Sequence, residues 1–171
     1  MRRRRKRERE RASPRDPQDA QAAREQCLRL LALRARSAAE LRDRMRKAGF
    51  HEDVVEAVLA DLDRAGLVDD AEFARAWVAH RQAAGGAGRH KLQWELRRKG
   101  IADGLIKHVL DEAVTDEMEM EQALALAERR LSGGPLDRSG LARLRRTLLG
   151  RGFGFETVDA VMRHVASEGE S

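Results

Sequence analysis

Read for reactive groups, the chain offers little that can make or break a bond. Its five histidines are scattered. His51 opens a helical stretch, His80, His108 and His164 lie within others, and none forms His-Glu-x-x-His or a comparable ligand pair. They read as surface or core-edge residues. Gly150, Gly152 and Gly154 resemble the glycines of a dinucleotide loop, but they follow helical sequence where that loop follows a strand. The GGAGRHK run at 85–91 lacks the Gly-Lys-Ser/Thr of a phosphate loop. Cys27 is the single cysteine; alone it makes neither an internal disulfide nor a zinc site, and it reads as packing in the first helix. Asp69 and Asp70 form a carboxylate pair whose simpler reading is helix capping. No catalytic residue, metal ligand or cofactor site is assigned, and the chain reads as a protein that is not an enzyme.

The residue types that remain suit binding. Placing successive residues 100° apart puts Trp94 opposite the Leu92/Leu96 side of its helix, among Lys91, Arg97 and Arg98. An indole so placed stacks on a base, anchors a protein partner, or packs against a neighbouring part of the chain. Around it lies a wider basic set. Residues 38–48 carry Arg42, Arg44, Arg46 and Lys47, and residues 139–151 carry Arg143, Arg145, Arg146 and Arg151. The stretch 52–63 holds Glu52, Asp53, Glu56, Asp61 and Asp63 and no base. Two readings stand. Either the basic helices line one positive stripe for a partner or nucleic acid, or they are solvated faces supported by pairs such as Asp43–Lys47 and Glu40–Arg44. On the first reading the candidate contacts are Arg42, Arg46, Lys91, Trp94, Arg97, Arg98, Arg145 and Arg146.

The elements that must carry these residues are helical. The 171-residue chain is 42% apolar but only 4% aromatic, and 37% of it is charged. A composition rich in Ala, Leu and Arg and poor in β-branched residues favours an all-α fold and counts against a sandwich or barrel. No apolar run approaches the roughly 18 residues that span a bilayer, and no apolar stretch follows the basic N-terminus as in a secretory signal. A soluble, cytoplasmic protein is the expectation. Residues 1–19 hold nine basic and four acidic side chains, which equals the +5 of the whole chain. With Pro14 and Pro17 and no hydrophobic period, this leader is expected to be disordered. It reads as a solubilising segment or as a non-specific electrostatic hold on nucleic acid.

Three segments then align without gaps, opening at Leu41, Leu92 and Leu144. In each, an apolar residue follows four positions on (Met45, Leu96, Leu148), then a glycine (Gly49, Gly100, Gly152) and a large apolar residue (Phe50, Ile101, Phe153). The glycine spacings are 51 and 52 residues. Such a glycine ends a helix in the left-handed conformation. A second amphipathic stretch follows, with apolar positions Val55/Val58/Leu59/Leu62, Ile106/Val109/Leu110/Ala113 and Val158/Val161/Met162/Val165. A third helical stretch precedes each pair, at about 20–35, 70–84 and 116–131, with Phe73 and Trp77 facing the core together. Ser37 is placed to cap the helix of Leu41. The glycine-rich linkers at 85–88 and 132–135 are expected to be mobile. The expected architecture is three tandem three-helix, helix-turn-helix-like repeats in an elongated, curved array. After the leader 1–19, the repeats occupy 20–66, 67–114 and 115–171.

The run LLALRARSAAELRDRMRKAGF, then LDRAGLVDDAEFARAWVAHR, then GRHKLQWELRRKGIADGLIKHVL, resembles the RecX family, regulators of the RecA recombinase. The elements that carry the likeness are Arg34-x-Arg36-Ser37 leading to Glu40–Leu41, Gly49–Phe50, Leu67 to Asp70 with Phe73–Ala74, and Glu95 to Ile101. It is strongest over about 28–110 and looser to 165, and the Arg-rich leader departs from the pattern. The resemblance implies an all-helical monomer that binds the RecA–single-stranded-DNA filament. It would temper ATP hydrolysis, strand exchange and co-protease function, and so recombinational repair and the SOS response, with weak direct affinity for single- or double-stranded DNA. It supplies no catalytic residue and no secure contact position. Two other classes are weighed beside it. One is a helix-turn-helix DNA-binding regulator, against which the acidic third helices argue; the other is a generic helical-repeat scaffold.

Overall fold

The structure, a computed structural model, describes residues 16–131 and 137–168. The described residues form nine helices and no strand. They are α1 (Ala20–Leu31), α2 (Ala38–Lys47), α3 (Glu52–Arg64), α4 (Asp70–Ala83), α5 (Arg89–Arg98), α6 (Asp103–Ala113), α7 (Asp116–Leu131), α8 (Arg138–Gly150) and α9 (Phe155–Glu168). They group in threes, each group closed on itself with all three helices in contact. The chain divides into two compact units, Met1–Asp69 and Asp70–Ser171, so the second unit holds two of the three-helix modules.

The turn between the second and third helix of each module is built the same way three times. Gly49, Gly100 and Gly152 take φ of 89°, 76° and 83°. Each donates its N–H to the carbonyl three residues back (Arg46, Arg97, Leu149), at 2.9 Å in all three cases. The next residue's N–H reaches five back: Phe50 to Met45, Ile101 to Leu96 and Phe153 to Leu148, at 3.2, 3.1 and 3.3 Å. This Schellman closure satisfies carbonyls the helix end leaves free and folds the large apolar residue over the last turn. Phe50, Ile101 and Phe153 are accordingly buried, as are Leu41/Met45, Leu92/Leu96 and Leu144/Leu148. Full burial of each such side chain is worth about 1.5–3 kcal/mol. The apolar stripes of α3, α6 and α9 close the three cores, with Ala113 and Met162 only partly buried.

In the first unit, Ser37 accepts the Glu40 N–H at 3.1 Å and caps α2 as its position suggests. Helix α1 is shorter than the 20–35 stretch and ends at Leu31. Of the leader, residues 1–15 lie outside the described residues. Asp16–Asp19 form a turn that belongs with the first module: Asp19 caps α1, and the Pro17 carbonyl accepts the His51 N–H at 2.9 Å.

In the second unit, the linker at 85–88, expected to be mobile, is hydrogen-bonded to the turn between α8 and α9; the linker at 132–135 lies outside the described residues. Gly85 and Gly86 turn with φ of 107° and 79°, and Ala87 is buried. The Gly88 N–H bonds the Arg151 carbonyl at 2.9 Å and the His90 N–H bonds the Gly152 carbonyl at 3.2 Å. The Arg151 guanidinium returns to the carbonyls of Gly85 and Gly86 at 2.8 and 3.1 Å. A Cβ at Gly88 would lie 2.3 Å from the Gly152 carbonyl, and one at Gly152 would lie 2.4 Å from the Lys91 backbone nitrogen. The glycines are there because two backbones meet. Ser37 and Gly88 hold the same repeat position, and Gly88 gives up the side-chain cap to permit that approach. Glu119, 7% exposed, adds a carboxylate oxygen facing the N–H groups of Arg89 at 3.4 Å and Gly154 at 3.3 Å.

Candidate functional site

The basic second helices are less free than their composition suggests. In the first module Arg42 makes a two-pronged bond to Glu56 on α3, one prong at 2.8 Å, and Arg46 does the same with Glu52, one prong at 2.6 Å. In the second module Arg97 reaches Asp103 at 2.6 Å, and in the third Arg145 reaches Asp159 at 2.8 Å. Counting from each turn glycine, Arg42–Glu56 and Arg145–Asp159 are one repeat pair, and Arg46–Glu52 and Arg97–Asp103 another. The pairing therefore runs across the Schellman turn, from second helix to third, rather than along one helix. Glu40 pairs with Arg34 at 3.0 Å instead of Arg44. The guanidinium bonds hold the Glu56 and Glu52 carboxyls below the usual carboxylate range. The second helix of the second module has a further engaged cation at its start, Arg89, on Asp111 at 2.7 Å and on the Val114 carbonyl at 2.6 Å.

Four of the eight candidate contacts, Arg42, Arg46, Arg97 and Arg145, are thus committed to a neighbouring helix. The other four are Lys91, Trp94, Arg98 and Arg146, none of which has a carboxylate partner among the described residues. Arg146 is exposed on α8. Lys91, Trp94 and Arg98 fall at i, i+3 and i+7 of α5 and so share one side of it. Trp94 is 55% exposed, and the Arg98 guanidinium carbon lies 4.7 Å from its ring centroid, a cation–π stack.

What turns that side of α5 outward is a network the sequence pattern does not reveal. Glu95, the helix's one carboxylate, faces α4. It accepts both prongs of Arg81 at 2.9 Å and the Trp77 indole N–H at 2.9 Å. Trp77 lies beside Phe73 with centroids 6.2 Å apart and carries Lys99 over its ring at 4.7 Å. Phe155 also went unmarked. It is 72% exposed at the start of α9, where the other modules hold Glu52 and Asp103. Aligning the three turn glycines and reading three residues on finds it.

No catalytic constellation emerges among the described residues. Among the described residues there is no group of three or more His, Cys, Asp and Glu side chains able to hold a metal ion. Cys27 is buried, and burial pushes its thiol pKa up, away from reactivity. A cleft of about 610 Å³ between the end of α4 and α7 has an alanine floor (Ala83, Ala84, Ala125) and no Ser, Cys or His in its lining. No described helix is long and apolar enough to cross a membrane.

Comparison with known proteins decides the family. Residues 23–62, 69–110 and 116–162 match, in order, the family models for the first, second and third three-helix domains of RecX. The chain belongs to the RecX family. It is 37% identical over 160 residues to "Regulatory protein RecX" of Mycobacterium avium, covering 91% of each chain. To the protein of the same name from Amycolatopsis mediterranei it is 43% identical over 133 residues, covering 77% of this chain and 75% of that one. The crystal structure of RecX from Lactobacillus salivarius shares the fold with a TM-score of 0.78 at 23% identity, over 86% of this chain and 97% of that one. The Mycobacterium avium and Amycolatopsis mediterranei relatives are named as regulatory proteins, and the tandem three-helix repeat is the family's architecture.

Proposed function

We propose that this RecX-family chain regulates the RecA recombinase by docking on the RecA–single-stranded-DNA filament and limiting its growth or persistence. ATP hydrolysis, strand exchange and co-protease function fall with the filament, tempering recombinational repair and the SOS response. One observation carries the reading. All three RecX three-helix domains are matched in sequence order, and a relative named as a regulatory protein is covered at 91% of both chains. The side chains are compatible with docking. α5 offers Lys91, Trp94 and Arg98 outward, and α8 adds Arg146. The reading of a third helix entering a duplex major groove finds less support, because α3 presents Asp53, Asp61 and Asp63 to solvent, where they would meet phosphates.

The test is single-stranded-DNA-dependent ATP hydrolysis by RecA, with and without the full chain at physiological salt. Substoichiometric chain lowers hydrolysis and shortens filaments; unchanged rates and unchanged filament lengths overturn the proposal.

A further inference from the structure

We propose that Lys91, Trp94 and Arg98 on α5 form a stacking site for an unpaired base of single-stranded nucleic acid, with Trp94 as the platform. The site is read from its own side chains, and it rests on the filament reading only for the source of the strand.

Four observations lead there. The indole is 55% exposed, yet one of its faces is already occupied by Arg98 at 4.7 Å. The guanidinium orients the ring, and more than half of the residue's surface remains exposed. Second, Lys91 and Arg98 flank the ring along the helix and have no carboxylate partner among the described residues. Third, the one acid of α5 is turned away: Glu95 is consumed by Arg81 and Trp77 at 2.9 Å each. That side of α5 carries an exposed ring with Lys91 three residues before it and Arg98 four after, a spacing that a base with its flanking phosphates complements. Fourth, no other large apolar side chain is exposed on α5. A protein hot spot sits in a well-packed, desolvated pocket; an exposed ring with no second large apolar side chain on its helix offers no such pocket, which favours a base over a protein side chain.

The position is also firmly held. Lys91 stands where the Gly88–Gly152 contact joins the second and third modules, and Trp94 is the next residue along that side of the helix. Matching positions in the other modules hold Asp43 and Arg146, so one module of the three carries the platform.

The experiment uses the full chain, a labelled oligo-dT and no RecA, with affinity read by fluorescence anisotropy. Trp94→Ala is expected to weaken binding by about 5-fold to about 150-fold, the range for loss of one stacked base. The deficit should persist at high salt and vanish on an abasic strand, which keeps the phosphates and lacks the base. Trp94→Phe keeps a ring, so it retains most of the affinity and abolishes the quenching of tryptophan emission on binding. Lys91→Ala instead flattens the salt dependence by about 0.7 in slope. A folded Trp94→Ala variant that binds oligo-dT as tightly as the unsubstituted chain overturns the proposal. If that variant also fails to restrain RecA hydrolysis, Trp94 contacts a protein surface, and the filament reading survives without this site. If it loses oligo-dT affinity and still restrains RecA, the site stands and the filament reading does not depend on it.

Discussion

Gly49 in the first unit and Gly152 in the second hold the same repeat position with nearly the same φ, 89° and 83°, yet they do different work. A Cβ at Gly49 would meet nothing within 4 Å, whereas one at Gly152 would run into the start of α5 at 2.4 Å. The neighbouring helices differ in the same way. Arg42 and Arg46 of α2 are spent on α3; α5 likewise commits Arg89 and Arg97 to α6, but it directs its single acid to α4 and leaves an exposed ring with Lys91 and Arg98 on the same side. A repeat conserves what a module needs to close: the turn, the apolar stripe and the ion pair across the turn. Departures from it mark where a module meets something other than itself.

The largest expected effect tests the two glycines against each other. Gly49→Ala bears only the left-handed backbone cost, about 1 kcal/mol. Gly152→Ala adds a clash with backbone that cannot rotate away, an overpacking cost of about 1–3 kcal/mol on top. Urea unfolding of the two variants side by side should show the larger loss at Gly152. Equal losses would mean the contact between the second and third modules is loose.

Next in size is the anchor of α5. Glu95→Ala strands the Arg81 guanidinium and the Trp77 N–H, groups that are half-buried against the helix. A loss of about 2 kcal/mol is expected. Arg42→Ala, which removes a more exposed pair in the first unit, should cost less than about 1 kcal/mol. A cost for Arg42→Ala as large as that for Glu95→Ala would remove the distinction between a pair that fixes a helix face and one that decorates a surface.

Much of this was readable in the residues and some was not, for a physical reason. Period, turn glycines and apolar stripes are local signals, and they placed the helices and cores. The 100° rotation alone put Trp94 outward. Pairing was misread because periodicity along one helix suggests i,i+4 partners, whereas the Schellman turn brings together residues six and fourteen apart, Arg46 with Glu52 and Arg42 with Glu56. Arg81 and Glu95 likewise meet from different helices. The close approach at 85–88 was not legible because glycine content alone does not reveal which backbone comes near; the position of Arg151–Gly152 does.

The ion pairs also give the first unit a pH dependence. Guanidinium bonds lower the folded-state pKa of Glu52 and Glu56 from the ordinary 4.5. A depressed carboxylate contributes stability that is complete above its unfolded value and is lost as pH falls through the folded one. Replacing both by Gln should therefore shift the urea midpoint at about pH 7 and much less at about pH 3. A gap between variant and parent that is unchanged at the lower pH would show that the pairs add nothing electrostatic.

The smallest effect asks whether the third module's departure is structural at all. Where the first two modules pair Arg46 with Glu52 and Arg97 with Asp103, the third holds Leu149, partly buried, and Phe155, 72% exposed. Leu149→Arg with Phe155→Glu restores the repeat's charge pair in a turn whose backbone already matches the other two. An exposed ring contributes little to folding, and a surface ion pair is worth about 0–1 kcal/mol, so stability should move by less than about 1 kcal/mol. Partial burial of Leu149 works against the pair, and the single Phe155→Glu variant separates that loss from the gain. A much larger destabilisation would mean that Phe155 packs in solution and that its exposure is not a departure from the repeat. Near-neutrality would leave the exposed ring unexplained by folding, as Trp94 is, and would direct the search for its role to what the third module touches outside itself.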